Sequence, residues 1–195
     1  MKNSIKIAGV ILAGGKSSRF DYKDKSWAIW QGKPLIEQVI EKASAQVDSL
    51  CISSNQPSAE KIKFKSFNLP LIEDKEFAQQ GPMSGILSAL QWAKKSGFEW
   101  LVSFPVDTPN IPNNLVEKFA QVVFEKNTQW VIASDENYKQ NALCLWSVEL
   151  IEPIREGLQR GDNKVLACLH NQSYEVAYFP ISFLNINNAQ ILSEC

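Results

Sequence analysis

The residues best suited to chemistry lie near the start of the chain: Leu12-Ala13-Gly14-Gly15-Lys16-Ser17-Ser18-Arg19-Phe20, followed by Asp24-Lys25. They come directly after an apolar run over 5–12, which reads as a buried first strand. Adjacent glycines let a ligand approach the main chain. The cations Lys16, Arg19 and Lys25 follow at once. Exposed backbone N–H groups and cations beyond the end of a strand suit a polyphosphate. An ordinary strand-to-helix loop with solvated charges is the competing reading. Two common phosphate motifs are excluded by position. A P-loop ending at Gly15-Lys16-Ser17 requires glycine where the chain has Val10. The G-x-G-x-x-G dinucleotide fingerprint is absent as well.

These residues, with Gly32-Lys33-Pro34-Leu35, resemble the signature L-A-G-G-x-S-x-R-(M/F)…D-K of the nucleotidyltransferase superfamily. Within it the chain is most similar to the molybdenum cofactor guanylyltransferases, which join GMP to molybdopterin. The likeness continues through Ile72-Glu73-Asp74, Gly81-Pro82-Met83-Ser84-Gly85, Pro105-Val106-Asp107-Thr108-Pro109 and Asn185-Ile186-Asn187. It implies GTP and molybdopterin as substrates, Mg2+ as cofactor, and molybdoenzymes or their chaperones as recipients of the product. The alternatives are a cytidylyltransferase on the same pterin, a small nucleotidyltransferase on a sugar or polyol phosphate, or a nucleotide-binding protein without turnover.

In such a transfer an acceptor oxygen attacks the α-phosphorus and pyrophosphate leaves. The protein aligns the two and neutralises growing charge. The resemblance makes Asp107 the metal ligand, since magnesium takes one or two carboxylates plus phosphate oxygens and water. From the residues alone, an Asx turn before Thr108-Pro109 accounts for Asp107 equally well. Arg19 and Lys25 are the expected catalytic phosphate cations, with Lys16 beside them. The implied nucleotide set is Leu12, Ala13, Gly14, Gly15, Lys25, Asn55, Asp74 and Asp107. Related cytidylyltransferases tend to read Ala-Ala-Gly where this chain reads Ala13-Gly14-Gly15, and a smaller side chain leaves room for a purine. The implied acceptor set is Gly81, Pro82, Gly85, Asn185 and Asn187. The chain departs from its relatives at Asp21-Tyr22-Lys23, at Gln140-Asn141-Ala142 and over 157–163.

Apolar strands and amphipathic helices must position these groups, and they alternate almost throughout. Strands are expected over 5–12, 50–53, 100–104, 130–133, 142–146 and 174–179, with a short extended piece over 26–30 and an edge segment within 56–68. Helices are expected from Pro34, from a Ser84 cap, from Pro112, near 148–158 and 164–170, and over 188–193. This predicts an α/β fold with a mostly parallel sheet and helices on both faces, Rossmann-like, in one domain over 1–195. The N-terminal half would bind nucleotide and the C-terminal half the pterin. Ligands in such sheets gather at the carboxyl ends of the strands.

A net charge of −1 favours neither nucleic acid nor a membrane surface. No apolar stretch nears the ~20 residues of a membrane span, and nothing resembles a signal peptide, so a cytoplasmic protein is expected. The four cysteines, Cys51, Cys144, Cys168 and Cys195, lack C-x-x-C spacing, and His170 is the single histidine. A histidine-type zinc site is therefore excluded, and Cys51, Cys144 and Cys168 read as reduced core hydrophobes.

Overall fold

The run Ile7–Leu12 carries no polar side chain, and such a strand is stable only where both faces are covered. In the computed structural model, which describes residues 5–13, 24–55, 62–78, 80–136 and 138–186, it is β1, in the interior of a seven-stranded sheet. The other strands are β4 (Ser49–Ser53), β5 (Leu71–Ile72), β6 (Trp100–Pro105), β7 (Trp130–Ser134), β8 (Lys139–Ser147) and β9 (Glu175–Tyr178). Their order is β5-β4-β1-β6-β8-β7-β9. All neighbouring pairs are parallel except those of β8, which runs antiparallel to both β6 and β7. A separate two-stranded piece joins β2 (Ile29–Trp30) to β3 (Lys33–Pro34).

Alternation along β1 divides the core. Ile7 and Ile11 join α1 (Leu35–Ser44) and α3 (Leu115–Lys126) on one face. Ala8 and Val10 join α2 (Pro82–Lys95), α4 (Ile151–Gln159) and α5 (Val165–Cys168) on the other. Helices thus cover both faces, as expected.

The local differences have physical causes. Within 26–30 the chain makes a 3-10 turn, Lys25–Trp27, before β2. Residues 56–61 lie outside the described set, but the rest of the expected edge segment is not a strand. A helical turn there ends in Lys65–Phe67 and Asn68 at φ 55°. Spacing of three residues turns Phe64 and Phe67 toward one ring, Trp27, at centroid distances of 5.4 and 5.9 Å. An extended chain would point them to opposite sides. The helix expected from Pro112 begins at Leu115, after Asn114. Residues 188–193 lie outside the described residues.

Register then gathers the strand ends. Leu12 pairs with Ser53 on one side and Pro105 on the other, and Ser53 pairs with Ile72. The segments following β1, β4, β5 and β6 therefore leave the sheet along one edge.

Candidate active site

Lys25 owes its direction to the turn it opens. The Asp24 carboxylate accepts from Ser26 N at 2.9 Å, capping the Lys25–Trp27 turn. Lys25 Nζ then reaches across 82 positions of sequence to donate to Asp107 Oδ2 at 3.0 Å. The two side chains are 15% and 25% exposed, so the pair is enclosed yet reachable by a ligand. Asp107 stands in a tight bend beyond β6, where Thr108 N donates to Pro105 O at 3.2 Å. The Asx-turn reading of Asp107 fails on a residue of the sequence itself. Such a turn needs the N–H two positions on, and Pro109 has none. The carboxylate is left for Lys25, with Thr108 Oγ1 at 3.4 Å from its other oxygen.

A second carboxylate, Asp74, follows β5. Asn55 grips it twice: Asn55 Nδ2 donates to Asp74 Oδ2, and Asp74 N donates to Asn55 Oδ1 at 3.0 Å. Ser84 Oγ adds a bond to the same Oδ2 at 2.8 Å. Asp74 Oδ1 is buried and has no hydrogen-bond partner among the described residues. Ser84 is not the helix cap that its sequence position suggests. Pro82 is pre-set for a first helical turn, so α2 starts three residues earlier than a Ser84 cap would place it, with Gly81 as cap at φ 79°. Gly85 is buried, and a Cβ there would lie 2.7 Å from Ser53 Oγ and 3.6 Å from both Asp74 Oδ1 and Leu12 Cδ2. Gly85 thus borders Leu12 and Asp74 of the nucleotide set, while Gly81 and Pro82 are exposed at the helix start.

The C-terminal segment crosses the same edge. Phe183 N donates to Asp135 Oδ2 and Leu184 N to Asn110 Oδ1, each at 2.9 Å, and Asn110 Nδ2 donates to Ser182 O at 2.8 Å. Ile186 N donates to Asp107 O at 2.9 Å, which brings Asn185 beside the Asp107 bend. Gln140 and Asn141, at the start of β8, lie near the same rim, since Ala133 pairs with Gln140. Asp135 and Asn110 are residues that sequence reasoning missed. Asp135, 5% exposed, directly follows an apolar strand, the pattern that marked Asp74 and Asp107.

Gly14, Gly15, Lys16, Arg19 and Asn187 lie outside the described residues. Among the described residues no group of three or more His, Cys, Asp or Glu could hold a metal. Asp107 by itself fits magnesium, which completes its shell from phosphate oxygens and water. Cys51, Cys144 and Cys168 are free and buried. Burial pushes the Cys168 thiol up to about 11 and raises the other two as well, which disfavours the thiolate a nucleophile needs.

A mostly parallel sheet with a lysine–aspartate pair and a second fixed carboxylate at its strand ends is the arrangement a nucleotidyltransferase needs. The chain belongs to the family described as the MobA-like NTP transferase domain, which matches residues 9–175. The molybdenum cofactor guanylyltransferase of Shewanella putrefaciens is 30% identical over 187 residues, 94% of this chain and 93% of that protein. The enzyme of the same name from Haemophilus influenzae is 36% identical over 163 residues, 84% of this chain and 82% of its own. In fold the chain is similar to the molybdopterin-guanine dinucleotide biosynthesis protein A of Archaeoglobus fulgidus, with a TM-score of 0.76 at 21% identity, over 96% of this chain and 95% of that one.

Proposed function

We propose that this nucleotidyltransferase transfers GMP from GTP to the molybdenum-molybdopterin cofactor, forming the guanine dinucleotide cofactor and releasing pyrophosphate. The observation that carries the reading is the Lys25–Asp107 pair at the strand ends of a family member. The curated names of its relatives support the substrates. An acceptor oxygen forms the new bond to the α-phosphorus, and the bond to the β-phosphate oxygen breaks with pyrophosphate as leaving group. Asp107 would hold Mg2+, which when bound offsets charge on the phosphate oxygens. Lys25, held 3.0 Å from that carboxylate, presents its ammonium where phosphate charge must be met. Arg19 and the Gly14-Gly15 loop complete the phosphate and base contacts, with Asn55 and Asp74 at the base and ribose side. In this reading Asn185 and Asn187, with Gly81, Pro82 and Gly85, are assigned to the pterin.

One domain over 1–195 serves both substrates in this reading, nucleotide in the first half and acceptor in the second. No helix among the described residues is long and apolar enough to cross a membrane. The product would pass to molybdoenzymes or their chaperones in the cytoplasm. The test is competition among GTP, CTP, ATP and UTP with molybdopterin as acceptor. GTP should be consumed preferentially. Equal use of CTP would overturn the guanine assignment, and turnover with a sugar or polyol phosphate in place of the pterin would overturn the acceptor.

A further inference from the structure

Serine early in a helix commonly bonds back to a carbonyl three or four residues earlier. Ser84 has that option, with Gly81 O at 2.8 Å, but Asp74 Oδ2 lies at the same distance. A hydroxyl has one proton to give. The carboxylate is the stronger acceptor because the bond to it is charge-assisted. Ser84 is only 1% exposed, so water does not compete for that proton.

The consequence falls on Asp74. Its Oδ2 takes both Ser84 Oγ and Asn55 Nδ2, while Oδ1 is buried with no partner among the described residues. Two donors on one oxygen fix the rotation of the carboxylate and leave the other oxygen with unmet acceptor capacity. A buried acceptor without a partner is a cost that a bound donor would remove. Gly85 packs closely here: a Cβ would lie 2.7 Å from Ser53 Oγ and 3.6 Å from both Asp74 Oδ1 and Leu12 Cδ2, so the missing side chain lets α2 pack this near to β4 and Asp74.

We propose that Ser84 is a positioning residue for the nucleotide: its one hydroxyl proton goes to Asp74 Oδ2 and orients that carboxylate from the first turn of α2. The proposal rests on the guanylyltransferase reading, in which Asp74 faces the nucleotide.

The experiment measures KM and kcat for GTP, together with thermal stability, in the wild type, Ser84→Ala, Ser84→Cys, Asp74→Ala and the Ser84→Ala/Asp74→Ala double variant. Losing one charge-assisted bond should raise the KM of Ser84→Ala about tenfold, with kcat little changed. Ser84→Cys keeps the volume and weakens the donor, so it should follow Ala rather than wild type. With Asp74 already removed, Ser84→Ala should add nothing. An unchanged KM in both Ser84 variants, or the same rise with and without Asp74, would overturn the role of Ser84 and leave the function standing. A wild type that neither binds nor turns over GTP would overturn the functional reading itself.

Discussion

The two carboxylates at the sheet edge are held by opposite means. Asp107 is met by a full positive charge, Lys25 Nζ at 3.0 Å. Asp74 is met by neutral donors, the Asn55 amide and the Ser84 hydroxyl. The first pair is electrostatically balanced and can exchange one cation for another, which suits phosphates and magnesium. The second is held by neutral donors alone, and among the described residues its Oδ1 has no partner, which suits N–H or O–H donors on a base or ribose. In the proposed reading, charge work and recognition work are separated along one rim. The difference also predicts how each end fails: the first through rate and metal demand, the second through affinity.

The largest effect should come from Asp107→Asn. The amide keeps the shape but is a poor ligand for a hard cation. Turnover should fall roughly 100-fold or more, by analogy with loss of one preorganised electrostatic contact, and the magnesium needed for half-maximal rate should rise. Circular dichroism should show an unchanged fold. Wild-type rate and magnesium response in this variant would break the comparison and move the metal to another carboxylate, with Asp24 and Asp74 next in line.

Lys25→Ala should cost about 1.5–3 kcal/mol of transition-state stabilisation, at least tenfold in rate, measured as pyrophosphate release. Its thermal stability should stay near wild type. Normal kinetics would make Lys25 no more than a partner for Asp107.

Asp135→Asn should act less directly. Its carboxylate accepts from Tyr138 N at 2.8 Å and Phe183 N at 2.9 Å, and an amide can serve only one of them as acceptor. A stability loss of about 1–3 kcal/mol is expected in thermal or urea unfolding. Among the described residues, the C-terminal segment touches the Asp107 bend through Ile186 and makes no bond to Asp74. The magnesium response should therefore shift while the choice of GTP over CTP holds.

The smallest effect concerns the loop that carries Asp74. Glu76 is bonded to Arg155 of α4 at 2.9 Å, and that bond, then one from Gln91, holds its carboxyl below the usual carboxylate value. A depressed folded value means the stabilisation is present above the ordinary pKa and is lost as pH falls through the folded one. Glu76 is 43% exposed, so solvent limits the pair to about 0–1 kcal/mol. Glu76→Gln should lower thermal stability slightly at neutral pH, and the gap from wild type should close in acid. A gap that widens in acid would contradict the assignment.

Much of this was legible because one pattern recurs: an apolar strand followed at once by a polar residue. It marked Asn55, Asp74 and Asp107, and parallel register did the rest. The same pattern stands at Trp130–Ser134 and Asp135, but no motif drew attention to it. The reversed direction of β8 was legible in spacing: only eight residues separate the expected strands 130–133 and 142–146, too few for a parallel crossover. Ser84 was legible as a residue of interest but not in its role. A capping reading is local, whereas its actual partner, Asp74, is brought to it by the packing of α2 against β4 and β5.

The most direct test of the account is pyrophosphate release from GTP and Mg2+, measured with and without molybdopterin. One pyrophosphate should appear for each guanine dinucleotide formed, and almost none without the pterin. Release of inorganic phosphate instead, or pyrophosphate release indifferent to molybdopterin, would contradict guanylyl transfer.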